Sequence, residues 1–344
     1  MNKFIALIFT TLIILNSCAP TNDQPVLSGI LWGGEGNRLI IRSVSASNEI
    51  PDTILIDNKS EFVWNPENVV PGMYYLENDI GKKILLILNS NKPQIVDGQY
   101  VTFPHHLKTY GTDLPQLFLK VETLCEEWNF EIENAVANAN ESRKNVALYN
   151  IKDIDNKLDS IKMEYRKKAL LISDDPLVKM VVLLQYVGNI PLFDTWKDRN
   201  LFFEIETELN PYKEINEVKI FSEKISKLHE MEKFYNKISV GDKFPLLIFD
   251  NDTISTEKYT GKIVYIEIRK SNTSHETIDL SSFKNSKLET FILTLEEKEE
   301  EEQIINSLGI MQFPSNFLLN TEGLIAAKNI WDNELKGAIG ELIK

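Results

Sequence analysis

Hydrophobic and polar positions along this chain change their period from region to region. Between residues 25 and 105 the apolar positions come in short runs, Arg38–Ile41, Asp52–Ile56, Glu61–Trp64 and Met73–Leu76. Turn signals separate them: Gly33–Asn37, Asp57–Lys59 and Pro71-Gly72. Regular short strands bounded by Gly and Asn turns predict a small β-sandwich or barrel. The glycine cluster at 33–37 leads into a strand pattern and not a helix. It therefore reads as a hairpin turn and not as a phosphate cradle.

From 106 to 237 the period becomes helical. Ser173-Asp174-Asp175-Pro176 is a helix start, with Asp in the capping region and Pro in the first turn. The apolar run Leu177–Val187 follows, stopped by Gly188. Leu117, Phe118, Val121, Leu124, Cys125 and Trp128 share one helical face, and a later helix places Phe221, Ile225, Leu228 and Tyr235 together. A cysteine on an apolar stripe reads first as a small core hydrophobe.

From 238 to 344 the pattern is α/β. Strands are predicted at Leu246–Phe249, Ile263–Ile268 and Leu288–Leu293, and a helix carries Ile304, Ile305 and Leu308. Phe313-Pro314-Ser315 leads into another apolar run and the turn Asn320–Gly323. The last helix, Glu334–Ile343, is capped in this reading by Asp332 or Asn333 and buries Leu335, Ile339 and Leu342. The predicted class is multidomain α+β: a β-sandwich-like N-terminal domain (25–105), a helical region (106–237) and an α/β domain (238–344).

Composition adds exclusions. The 344 residues carry a net charge of −14, which repels phosphate backbones and argues against nucleic-acid binding. His105, His106 and His229 show no ligand spacing and read as surface residues. The run Glu296–Glu302 reads as an exposed helical face, with divalent-cation binding the rarer alternative. No cofactor and no metal is implied. Ahead of the first strand, Phe4–Leu15 is apolar but too short for a comfortable span, which fits residues 1–17 as a signal peptide. Residues 19–24 are small and polar, as a tether is.

Three resemblances add to this. Leu15-Asn16-Ser17-Cys18 resembles a bacterial lipobox, which implies cleavage before Cys18, a diacylglycerol on its thiol and a membrane anchor at 18–24. The plain alternative is a signal peptide with an incidental cysteine. With Cys18 lipidated, Cys125 is the single remaining thiol and no internal disulfide can form. The stretch from Asp52 to Tyr100 resembles the β-rich N-terminal domain of Bacteroidetes envelope lipoproteins, which commonly precedes a thioredoxin-like domain. Gly241, Pro245, Gly261 and Lys262, together with Gly309 to Gly323, resemble the thioredoxin-like fold of envelope thiol-disulfide oxidoreductases and peroxiredoxin-type proteins.

That last resemblance implies a cis bond at Phe313–Pro314, facing the helix that follows Ile268. In active relatives this helix begins with CxxC. Here the two cysteine places fall on Thr273 and Glu276, and neither forms a thiolate. Thr273-Ser274-His275-Glu276 has the residue types of a nucleophilic site, but sequence neighbours diverge, so a solvated loop or capping segment is the simpler reading. No catalytic residue is assigned. The expectation is a non-catalytic, lipid-anchored envelope protein, exported to the periplasmic side of the outer membrane. It binds an envelope protein, peptide or glycan, with the Phe313–Pro314 groove as one surface. The alternatives are a redox protein using Cys125 or a partner's thiols, and a non-redox envelope enzyme with an unrecognised site.

Overall fold

The computed structural model describes residues 24–46, 50–145, 151–249, 252–254, 256–271, 278–283, 287–295 and 299–344. Residues 1–23, and with them Cys18, lie outside this range, as do Thr273–Glu276. The chain divides into two compact units, Met1–Ile225 and Ser226–Lys344.

The first unit opens with eight strands: β1 (Leu27–Trp32), β2 (Arg38–Ser43), β3 (Asp52–Leu55), β4 (Glu61–Trp64), β5 (Gly72–Asn78), β6 (Lys83–Leu88), β7 (Gln94–Gln99) and β8 (Lys108–Tyr110). They form two four-stranded sheets, ordered β4-β1-β7-β8 and β3-β2-β5-β6. Alternation along each strand sends every second side chain inward. Leu27, Leu31, Phe62 and Val96 from the first sheet thus share one core with Leu39, Ile41, Ile54, Leu76, Ile84 and Leu86 from the second.

The glycine segment 33–37 differs from the expected hairpin. It joins β1 to β2, which belong to different sheets. The chain therefore crosses the core there instead of folding back on a neighbour. Gly33 and Gly36 take φ of 79° and 80°, a region that costs glycine little and other residues much. Gly36 N–H donates to the carbonyl of Ile56, tying the crossing to the end of β3 (3.0 Å).

Five helices follow: α1 (Leu114–Asn145), α2 (Ile151–Leu170), α3 (Pro176–Leu183), α4 (Arg199–Glu208) and α5 (Asn216–Tyr235), in which the division between the units falls. Helix α1 packs against β6, burying Phe118, Val121 and Trp128. The outer face of the β3-β2-β5-β6 sheet is covered in consequence, and its outward-pointing Met73 and Leu85 are buried. Asp175 caps α3 as its sequence indicates, accepting a hydrogen bond from Leu177 N–H (2.8 Å) with Pro176 in the first turn. The helix is shorter than the apolar run. It stops at Leu183, and Tyr186–Val187 (β9) pairs antiparallel with Ile190–Pro191 (β10) around Gly188, whose φ is 57°. Gly188 is a hairpin turn, and not the end of a helix reaching Val187. Arg166 of α2 makes a two-pronged ion pair with Asp198 at the start of α4 (3.0 and 2.5 Å). The start of α5 is pinned to the sandwich by Asn216 N–H to Pro71 carbonyl (2.9 Å) and by Glu217 accepting from Met73 N–H (2.7 Å).

The second unit contains β11 (Leu247–Phe249), β12 (Asp252–Ile254), β13 (Ile263–Lys270), β14 (Leu288–Leu295), α6 (Glu299–Leu308), β15 (Ser315–Leu319), β16 (Ile325–Lys328) and α7 (Asp332–Ile343). Its main sheet has the order β14-β13-β15-β16. The β13/β14 pair is parallel, and β13/β15 and β15/β16 are antiparallel. Both faces are covered. Val264, Ile266 and Ile268 pack with Ile304 and Leu308 of α6. Ile263, Tyr265 and Leu318 pack on the other side with Leu335 and Ile339 of α7 and with Ile278, Leu280 and Phe283. Helix α7 begins at Asp332 with Trp331 as its cap residue, and no side chain closes its first turn. Asp332 itself has φ of 46°, so it shapes the approach and does not cap the helix, contrary to the sequence reading.

Gly29 offers a test of how closely β1 and β7 approach. A Cβ there would sit 1.8 Å from the Val96 carbonyl oxygen and 2.7 Å from its carbon, both backbone atoms that cannot swing away. Gly29→Ala is expected to destabilise the first unit by about 3 kcal/mol or more in denaturant titrations. Gly337, in α7 with open space where a Cβ would stand, is the contrast. Gly337→Ala is expected to stabilise by roughly 0.5–1 kcal/mol.

Candidate functional site

The sequence points to the end of strand β13 and the start of β15. Antiparallel pairing places Glu267 opposite Asn316 and Ile268 opposite Ser315, so the two ends meet. The Phe313–Pro314 peptide immediately before β15 is cis. The ammonium of Lys270, at the last position of β13, lies over the Phe313 ring, 5.2 Å from its centre. The polar end of β13 and Phe313 therefore meet, while the helix expected after Ile268 to face Phe313–Pro314 falls on residues outside the described range. Thr273, Ser274, His275 and Glu276, the positions where a redox pair would stand, lie outside the described residues.

Under this junction is a polar cluster that the sequence reading passed over. Glu267 is fully buried within the otherwise apolar and aromatic run Ile263–Ile268. Its two oxygens are occupied: Tyr265 Oη donates to Oε2 (2.9 Å), and Arg269 Nε donates to Oε1. Residues 265, 267 and 269 point to one face because a strand alternates. Burial, with the Glu267 charge next, pushes the Tyr265 hydroxyl well above the ordinary phenol range. It remains a neutral donor. The only signal for this cluster was one carboxylate inside Ile263-Val264-Tyr265-Ile266-Glu267-Ile268.

Beside it, Asn316 is fully buried and clasps Ile330 from both sides, donating to its carbonyl (2.7 Å) and accepting from its N–H (3.2 Å). Asn329, at φ 54°, accepts from Ser315 Oγ (2.8 Å) and Asn316 N–H (3.2 Å). Asn tolerates this left-handed backbone better than most residues. On β16, the Lys328 ammonium donates to the carbonyls of Tyr235 (2.7 Å) and Ile238 (2.6 Å). Burial holds its pKa below the ordinary lysine value. Among the described residues no side-chain polar atom of Tyr265, Glu267, Ser315 or Asn316 is buried without a partner. These groups are mutually satisfied and hold the junction rigid.

The thiol among the described residues is elsewhere. Cys125 lies half-buried on α1 in the first unit, its Sγ 3.3 Å from Gln185 Oε1. Burial, and then the charges of Glu122 and Glu126, push its pKa up to about 11. The thiolate fraction at neutral pH is then about one in ten thousand, the opposite of the tuning a reactive cysteine needs.

No protein family and no curated protein matches the chain. Solved structures similar to it include the thioredoxin domain of a thiol-disulfide oxidoreductase from Bacteroides vulgatus, at 15% identity over 31% of this chain and 99% of that one, with a TM-score of 0.26. A thiol:disulfide interchange protein from Bacteroides sp. matches at 16% identity over 31% of this chain and 91% of that one, TM-score 0.25. A thioredoxin-like protein from Bacteroides caccae covers more, 65% of this chain and 76% of its own, at 16% identity and TM-score 0.29. Similarity at this level carries no argument about chemistry. The sheet order of the described residues, a parallel pair joined through its first strand to an antiparallel hairpin, with a closing helix, agrees with the thioredoxin-like arrangement that the sequence resemblance implies.

Two outcomes follow from these contacts. Glu267→Leu removes the buried carboxylate that bonds both the Tyr265 hydroxyl and the Arg269 guanidinium; it is expected to destabilise the C-terminal unit by about 3 kcal/mol in denaturant titration, and Glu267→Leu combined with Tyr265→Phe to lose less than the sum of the two single variants. For the thiol, Cys18→Ala leaves Cys125 alone. Its alkylation by iodoacetamide at pH 8 is expected at least tenfold slower than that of a free cysteine, with the rate still rising above pH 10 because the reactive thiolate forms only near pH 11.

Proposed function

We propose that this is a lipid-anchored cell-envelope protein whose thioredoxin-like C-terminal unit performs no redox chemistry and serves as a binding or scaffolding module. One observation carries the reading: residues 226–344 contain no cysteine, since the two in the chain are Cys18 and Cys125. Thiol-disulfide exchange requires a thiolate to attack and another to leave. A fold similar to that of oxidoreductases does not supply either, because function resides in the site and not in the architecture.

The anchor rests on the sequence around Cys18. No helix of the described residues is long and apolar enough to cross a membrane. A diacylated Cys18 would hold the chain at the outer membrane on the periplasmic side, with residues 19–24 as the tether. The partner is then an envelope protein, a peptide or a glycan, and the end of β13 beside Phe313 and Pro314 is the surface offered in the C-terminal unit. The second reading, redox work through Cys125 or a partner's thiols, gains from the oxidoreductase-like fold. The raised pKa of Cys125 opposes its first form.

Insulin reduction with dithiothreitol tests the reading. The full chain is expected to give no turnover above the dithiol background, with Cys125→Ser identical to the native protein. Turnover that Cys125→Ser abolishes would overturn the proposal. In cells fed labelled palmitate, the label is expected on the native chain and absent from Cys18→Ala.

A further inference from the structure

The two sheets of the N-terminal sandwich are treated differently by the rest of their unit. The β3-β2-β5-β6 sheet has its outer face covered, as Met73 and Leu85 show. The outer face of β4-β1-β7-β8 carries exposed Val63, Ile95, Trp32 and Tyr110, the last two 54% and 49% accessible. Strand pairing explains how these residues come together. Trp32 is opposite Gln99, Asp97 is opposite Lys108, and Ile95 is opposite Tyr110. At the edge of this face lies a pocket of about 390 Å³, lined by Trp32, Asp97, Gln99, His106, Lys108 and Tyr110 among others. That volume is within the range of small-ligand sites, roughly 300–1,000 Å³.

Its lining mixes two kinds of surface. Trp32 and Tyr110 present large flat apolar rings, each with a polar edge. Between them stand a carboxylate, a primary amide, an ammonium and an imidazole. The side chains of Trp32, Gln99, His106, Lys108 and Tyr110 make no hydrogen bond to the described part of the chain. Asp97 is held in place by its Oδ1, which accepts from Ile30 N–H (2.9 Å). Its second oxygen has no partner among the described residues, so it is oriented and available. His106, at φ 62°, has a backbone conformation that a non-glycine residue rarely adopts.

A ligand for this site must offer an apolar face to stack on rings and a dense rim of hydroxyls for paired donors and acceptors. A pyranose has both. A phosphate or other anion is disfavoured by Asp97 and by a chain of net charge −14. A lipid tail is disfavoured because it would leave the carboxylate of Asp97, the amide of Gln99, the imidazole of His106 and the ammonium of Lys108 facing hydrocarbon. The carboxylate and the ammonium balance one another, which suits a neutral ring. We infer that the face around Trp32, Asp97 and Tyr110 is a binding site for a neutral hexose-containing glycan. This goes beyond the reading of the C-terminal unit and stands whether or not that unit is redox-inactive.

The test is binding of the full chain, in detergent, to an array of neutral oligosaccharides (glucose-, galactose- and mannose-containing) beside uronate-containing ones. The best binder is then titrated in solution. Binding to at least one neutral oligosaccharide is expected, weakened more than tenfold by Trp32→Ala and by Tyr110→Ala. Asp97→Asn, which keeps an oxygen for the Ile30 bond but loses the charge, is expected to weaken it at least fivefold. Thermal unfolding of each variant is measured alongside, and because Trp32 and Tyr110 are half-exposed, their midpoints should stay close to native. Binding to no array member, binding confined to uronates, or affinity unchanged in both aromatic variants would each overturn the assignment.

Discussion

Strand β13 is covered on both faces, and every residue from Ile263 to Ile268 is buried. The rest of the C-terminal unit is arranged around that fact. A strand with no solvent face must be paired on both edges, and β14 and β15 do this in parallel and antiparallel register. It must be roofed twice, and α6 and α7 supply the two layers. The one charged residue of the buried segment Ile263–Ile268, Glu267, can stay only if both of its oxygens are bonded. Tyr265 and Arg269, two residues away on either side, are placed by strand alternation to bond them.

Much of this was legible in advance, for reasons that can be named. The run Ile263–Ile268 showed a doubly covered strand because it lacked polar alternation, and the apolar spacing of Ile304 and Leu308 showed a helix. Asp175 and Pro176 marked a helix start because capping chemistry is local. What failed was decided by distant parts of the chain. Gly33–Asn37 has the composition of a hairpin turn, and whether the strands it joins share a sheet depends on which partners β1 finds, namely β4 and β7. Leu177–Val187 is apolar enough for one helix, but Gly188 turns its last residues into a hairpin. The Glu267 cluster went unread because a buried carboxylate among apolar residues gains meaning only with its partners. The Trp32 face was invisible because its residues come from β1, β7 and β8, dozens of positions apart.

The sandwich makes a complementary point. Two sheets sharing a core each retain an outer face that needs a reason to be polar or a partner to cover it. Helix α1 settles the matter for one sheet by burying the outward side chains around β6. The other sheet keeps Trp32 and Tyr110 in solvent next to charged and amide groups. Residues that contribute nothing to the shared core and cost solubility are explained by what they contact, not by what they hold together.

The same distinction applies at the end of β13. A group kept reactive by its surroundings requires something left unsatisfied. Here Glu267 is neutralised by Arg269 and bonded by Tyr265, while Asn316 and Asn329 spend their hydrogen-bonding capacity on Ser315 and Ile330. The one described thiol sits in the other unit with its proton held firmly by burial and two neighbouring carboxylates. A sheet order built from pairing and two-sided burial does not need a cysteine anywhere in it. The sheet therefore stands on pairing and burial alone, and the described polar groups at its junction are bonded to one another.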